Sequence, residues 1–68
     1  MDERDLTTYA RSIAAALHVM GPTPREQVIG MLCGLNLSAN EASRVIAYGL
    51  AHGILEDSGG KIRGGSER

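Results

Sequence analysis

The sequence predicts a mainly α protein with a small β-hairpin, three helices followed by a pair of short strands. Three observations carry this. Apolar residues recur at helical spacing from Leu6 to Met20. Two helix-start signatures, "TPRE" at Thr23 and "SANE" at Ser38, each open a further apolar-periodic stretch. Finally, "ILEDSGGKIR" sets aliphatic residues on either side of an Asp-Ser-Gly turn.

The first helix is expected over about 5–20. Leu6, Tyr9, Ala10, Ile13, Leu17 and Met20 fall on one stripe at i, i+3, i+4 and i+7. Asp2, Glu3 and Asp5 suit the positive end of its dipole, and Gly21-Pro22 stops it. The second helix is expected over about 24–33. Thr23 is its predicted N-cap, Pro24 its first residue and Glu26 the reciprocal member of a capping box. Val28, Ile29, Leu32 and Cys33 form its apolar side and Gly34 ends it. The third helix is expected over about 39–52, with Ser38 as N-cap, Glu41 closing a second capping box and Gly53 as C-cap. Its inward stripe is Ala42, Val45, Ile46, Gly49 and Leu50.

Glycine inside a helix costs about 1 kcal/mol relative to alanine. Gly49, on the inward stripe, is therefore expected at a close helix crossing, with Ala10 or Ala14 opposite. Nothing comparable suggests itself for Gly30. The hairpin is expected over about 54–63. A four-residue turn from Asp57 to Gly60 would set Leu55 opposite Ile62 on the inner face, with Lys61 and Arg63 pointing outward. Residues 1–63 make one domain and 64–68 a frayed tail.

At 68 residues the chain buries only about 60% of its unfolded surface, so a dimer partner would add needed stability. With no Phe or Trp, the core must come from aliphatic residues, with Tyr9 and Tyr48 as the only rings. Tyr48 falls at the border of the buried stripe and is expected to pack with its hydroxyl in water. Seven basic residues against eight acidic ones leave a net charge of −1, so any nucleic-acid contact must come from local placement of cations. No apolar run reaches the roughly 20 residues of a membrane span. "MDERD" lacks the basic-then-apolar pattern of a signal peptide, and a single cysteine makes no internal disulfide. The expected setting is soluble, intracellular and cytoplasmic.

The pattern beginning at Ser38 resembles the winged helix-turn-helix domain of small prokaryotic or phage regulators. In that family a capping Ser or Thr opens the recognition helix, here Ser38, and an apolar residue follows four positions on, here Ala42. An Arg then an aliphatic residue come next, here Arg44 and Ile46. The helix runs into Gly and two aliphatics that begin the wing, here Gly53, Ile54 and Leu55, and "KIR" stands where the returning wing strand belongs. The resemblance spans about residues 6–63. Two positions depart from it. Gly49 stands where the family usually carries Leu, and the recognition helix has a single basic residue, Arg44.

The resemblance implies a three-helix winged helix-turn-helix (α+β) and a DNA-binding transcriptional regulator, acting on double-stranded DNA as a homodimer. The helix over 38–52 would enter the major groove and the wing over 54–63 would lie on the backbone. The expected contact residues are Arg25, Ser38, Asn40, Ser43, Arg44, Ala47, Lys61 and Arg63. Asn40 can pair with adenine and Arg44 with guanine, and Ala39 and Ala47 allow close approach or touch a thymine methyl. Amides at the helix starts near Thr23 and Ser38 can hold phosphates, with Arg25 beside the first. Lys61 and Arg63 would reach the backbone or minor groove.

Blander roles exist for each of these residues. Arg44 fits a solvated face, Asn40 a helix start, and Lys61 and Arg63 the protection of an edge strand. Two further readings stay open: a winged helix that binds a protein partner instead of DNA, favoured by the near-zero charge, and a purely structural dimer. Enzymatic chemistry is not expected. His18, Cys33 and His52 fit no zinc spacing, Cys33 reads as a buried small hydrophobe, and His52 suits the negative end of its helix. No phosphate-cradling loop and no nucleophile with a base is present, so neither cofactor nor metal is expected.

Overall fold

A computed structural model describes residues 2–66. The elements run α1 (Glu3–Met20), β1 (Thr23–Pro24), α2 (Arg25–Cys33), α3 (Ala39–Ala51), β2 (Leu55–Ser58) and β3 (Lys61–Gly64). This is the expected α+β arrangement of three helices and a hairpin, with one short strand added. No helix among the described residues is long and apolar enough to cross a membrane.

α1 starts two residues before the expected Asp5 because Asp2 caps it, its carboxylate accepting the Asp5 N–H at 3.1 Å. Ala10, Ile13, Ala14 and Leu17 are buried, and Leu6 and Tyr9 pack half-buried against them. Met20 leaves the predicted stripe and is 51% exposed. The chain turns away at Gly21, where φ is 84° and the N–H closes on the Leu17 carbonyl at 2.8 Å. The last turn of α1 therefore overhangs the core.

That turn leads into β1, which overrides the capping box expected at Thr23. Thr23 pairs with Ile62 and Pro24 with Lys61, antiparallel to β3. Thr23 is buried and its hydroxyl donates back to the Gly21 carbonyl at 3.0 Å, so it is not a helix cap. The N-cap is Pro24, in extended conformation, with no side-chain hydrogen bond to the helix start. The local signature offered one hydrogen-bonded cap, while pairing with β3 offers a ladder and the burial of a side chain. Proline is tolerated there because β1 is an edge strand and Pro24 needs no N–H partner on its open side.

α2 buries Val28 and Leu32, one turn apart, with Ile29 and Met31 half-buried on either side. Cys33 is exposed, against expectation, because it stands about 100° round the helix from Leu32. Gly34 caps the helix, and the left-handed residue of the connection is Asn36, at φ 68°. Leu37 then drops into the core just before α3.

α3 begins as expected. The Glu41 N–H donates to Ser38 Oγ at 3.2 Å and the Ser38 N–H donates to Glu41 Oε1 at 3.0 Å, completing the capping box. Ala42, Val45, Ile46 and Gly49 face inward. His52 is the C-cap, and Gly53 follows it in the left-handed conformation at φ 74°. The partner of Gly49 differs from expectation. An added Cβ would lie 2.7 Å from Leu55 Cδ1, so the close approach is to β2 and not to Ala10 or Ala14.

The three strands are ordered β1-β3-β2. Gly59 and Gly60, at φ 59° and 84°, form a two-residue turn of the type that matches the twist of a hairpin. The tighter turn changes the register. Leu55 opposes Gly64, Glu56 opposes Arg63, Asp57 opposes Ile62 and Ser58 opposes Lys61. Because the shift is by two residues, Leu55 and Ile62 still share the buried face and Lys61 and Arg63 still point outward. Gly64 and Gly65, expected in the tail, are part of the fold. Gly64 ends β3, and Gly65 is buried with its N–H on the Ile54 carbonyl at 2.8 Å. Of the expected tail, residues 67–68 lie outside the described residues.

Candidate nucleic-acid interface

The predicted reading face exists as a surface. Ala42, Val45, Ile46 and Gly49 anchor one side of α3, which turns Asn40, Arg44, Ala47 and Ala51 to solvent, with Ser43 half-buried beside them. These positions are spaced i, i+4, i+7 and i+11, so they form one stripe along the helix. Among the described residues, Arg44 forms no ion pair and no side-chain hydrogen bond.

Ser38 is occupied as a cap. Its N–H is given to Glu41 and its oxygen accepts from Glu41, which places a carboxylate at the helix start where a phosphate was expected. Hydrogen bonds from the Ser38 backbone and hydroxyl hold the Glu41 carboxyl below the usual carboxylate range, with a smaller contribution from the Arg44 charge. An anion approaching the α3 amides thus meets a resident negative charge. At α2 the N-cap Pro24 offers no side-chain hydrogen bond to the first amides. Arg25, its first residue, is exposed and unpaired among the described residues. Because Pro24 opposes Lys61, the ladder brings Arg25 and Lys61 to the same end of the sheet, a juxtaposition absent from the sequence pattern.

The wing cations differ from each other. Lys61 is exposed and has no partner among the described residues. Arg63 donates from Nη2 to Glu56 Oε1 at 2.9 Å, across the strand pair. This contact holds the Glu56 carboxyl below the usual carboxylate range, the hydrogen bond contributing first and the arginine charge second. The expected register would have set Glu56 opposite Lys61, so the pairing of Glu56 with Arg63 was not legible in advance.

A second unforeseen contact fixes α3 against α1. The Tyr48 hydroxyl, expected in water, lies 2.7 Å from Thr7 Oγ1. Thr7 Oγ1 also lies 2.9 Å from the Glu3 carbonyl, and the Tyr48 hydroxyl reaches Glu3 Oε1 at 3.5 Å, so the two hydroxyls and Glu3 form one small network in which either hydroxyl can donate to the other. The Tyr48 ring stacks on His52, with centroids 4.1 Å apart. Thr7 and Tyr48 are far apart in sequence and neither carries a local sign of the other.

A shallow depression lies between α1 and the C-terminal segment, lined by Arg11, Ala14, Ala15, His18, Ile54, Gly65 and Ser66. His18, Cys33 and His52 belong to three separate helices or their caps, and no group of three metal-binding side chains occurs among the described residues.

No family model matches the chain, and no curated protein or solved structure is similar enough to be matched.

Proposed function

We propose that this protein is a winged helix-turn-helix DNA-binding regulator, with α3 in the major groove and the β2–β3 wing on the backbone. The observation that carries the reading is the exposed Asn40-Ser43-Arg44-Ala47 stripe on a capped helix whose opposite side is locked in the core. Its side chains are short except for Arg44. The backbone can therefore approach base edges closely, while Asn40 and Arg44 supply the polar readout. The element order and the hairpin are compatible with the family resemblance. Arg25, Arg44 and Lys61 supply unpaired cations for phosphate, and two such domains on adjacent half-sites would supply affinity that one lacks. This function belongs in the cytoplasm of a prokaryotic or phage-infected cell.

The test is an amide NMR titration of labelled protein with a short duplex at low salt. Shifts should cluster on 38–47 and 60–63 and fade as salt rises. Three phosphate contacts per domain correspond to a salt slope of about −3, and four to about −4. A folded protein whose amides do not move at low salt overturns the reading.

One observation favours a protein partner instead. Val19 at 89%, Met20 and Leu35 are exposed apolar side chains in the overhanging end of α1 and the α2–α3 connection. That reading expects a salt-insensitive complex whose shifts fall on 19–20 and 35.

A further inference from the structure

We propose that Glu56 is a resident competitor for the wing's phosphate contact. Its carboxylate occupies the Arg63 guanidinium in the free protein, and a DNA phosphate must displace it. The inference rests on the DNA reading and assigns unequal roles to the two wing cations.

Both cations point to the same outer face of β3, two residues apart. Lys61 stands opposite Ser58, which carries no charge, whereas Arg63 stands opposite Glu56 and is bonded to it at 2.9 Å. The pair is open to solvent, with Arg63 51% and Glu56 38% exposed at the side chain, so an incoming anion can reach it. Exposed pairs of this kind are weak and screened by salt. A phosphate oxygen can accept from the guanidinium N–H as the Glu56 carboxylate oxygen does, so the two anions compete for the same donor. The displaced Glu56 then remains as a negative charge beside the phosphate. Lys61 is therefore the wing's unconditional backbone contact, and Arg63 engages only at the expense of Glu56.

The experiment measures duplex affinity by fluorescence anisotropy between about 50 and 200 mM salt for wild type, Glu56→Gln, Asp57→Asn, Arg63→Gln and the Glu56→Gln/Arg63→Gln double variant. Asp57→Asn removes the same charge one residue away, on the other face of the strand, and so measures general electrostatics. Glu56→Gln should bind several-fold tighter at low salt. One added phosphate contact makes that advantage fall by about threefold over this fourfold rise in salt. Asp57→Asn should gain less, Arg63→Gln should weaken binding by about the effect of one general charge because Glu56 is left unneutralised, and the double variant should return to near wild type. Equal gains for Glu56→Gln and Asp57→Asn, or a double variant that keeps the gain, overturn the proposal and leave the DNA reading standing. If no variant binds at low salt while all retain their folded amide spectrum, the DNA reading fails and this inference with it.

Discussion

Gly30 and Gly49 are both helix-interior glycines, and the same substitution should stabilise at Gly30 and be neutral to destabilising at Gly49. At Gly30 nothing lies within 4 Å of an added Cβ, so Gly30→Ala only removes the glycine penalty. That is a gain of about 1 kcal/mol. At Gly49 the added Cβ would meet Leu55 Cδ1 at 2.7 Å, Cγ at 2.8 Å and Cβ at 3.3 Å. Leu55 is 1% exposed and belongs to β2, so its side chain has no free space to retreat into. Overpacking of this kind costs about 1–3 kcal/mol. Subtracting the same propensity gain leaves Gly49→Ala between neutral and about 2 kcal/mol destabilised. Thermal unfolding followed by circular dichroism reads the difference directly, since 1 kcal/mol moves Tm by about 4–8 °C in a domain of this size. The decisive comparison is Gly49→Ala in a Leu55→Ala background. With Cδ1 and Cγ gone only the 3.3 Å contact to the residue-55 Cβ remains, so it should stabilise that background, though by less than Gly30→Ala stabilises wild type. If Gly49→Ala stabilises wild type as much as Gly30→Ala does, the packing of Gly49 on Leu55 is wrong.

Ser38→Ala should cost about 1 kcal/mol in chemical denaturation through loss of the cap. The Glu41 carboxyl is held low in the folded state, so its contribution is present above its unfolded pKa and lost as pH falls through the lower folded value. Glu41→Gln should therefore flatten the acid side of the stability curve, and an unchanged acid limb would argue against the capping box. Tyr48→Phe should cost about 0.5–1.5 kcal/mol by removing the hydroxyl's contacts with Thr7 and Glu3, and Thr7→Val in that background should cost little more. Arg44→Ala should leave the unfolding free energy within about 0.5 kcal/mol of wild type, as an exposed side chain does, while weakening duplex binding. Loss of stability together with binding would move Arg44 from the interface to the fold.

The candidate site was partly legible before folding. Asn40, Ser43, Arg44 and Ala47 share a face because helical spacing demands it, and the structure leaves that face open. The capping box of Ser38 and Glu41 was equally visible, but its consequence for anions at the α3 start emerged only from its geometry. Cys33 was misjudged because a helix with only two fully buried positions leaves its other apolar residues to the rim. The overhang of Val19 and Met20 follows from where the chain turns, which the apolar stripe alone cannot indicate.

What the sequence by itself determined are the features whose causes lie within a few residues: the three helices, the α3 cap, the place of the glycine turn though not its length, and the inward and outward faces of the wing. Hydrophobic period, capping chemistry and the φ range of glycine act locally, so they can be read along the chain. Only the tertiary structure decided the rest. It took Thr23 from a helix cap to a strand opposite Ile62, set Gly49 against Leu55, and tied Tyr48 to Thr7. It also gave Arg63 to Glu56 by a register shift of two residues. Such a shift keeps every side chain on its own face, so burial does not reveal it, yet it exchanges every cross-strand partner.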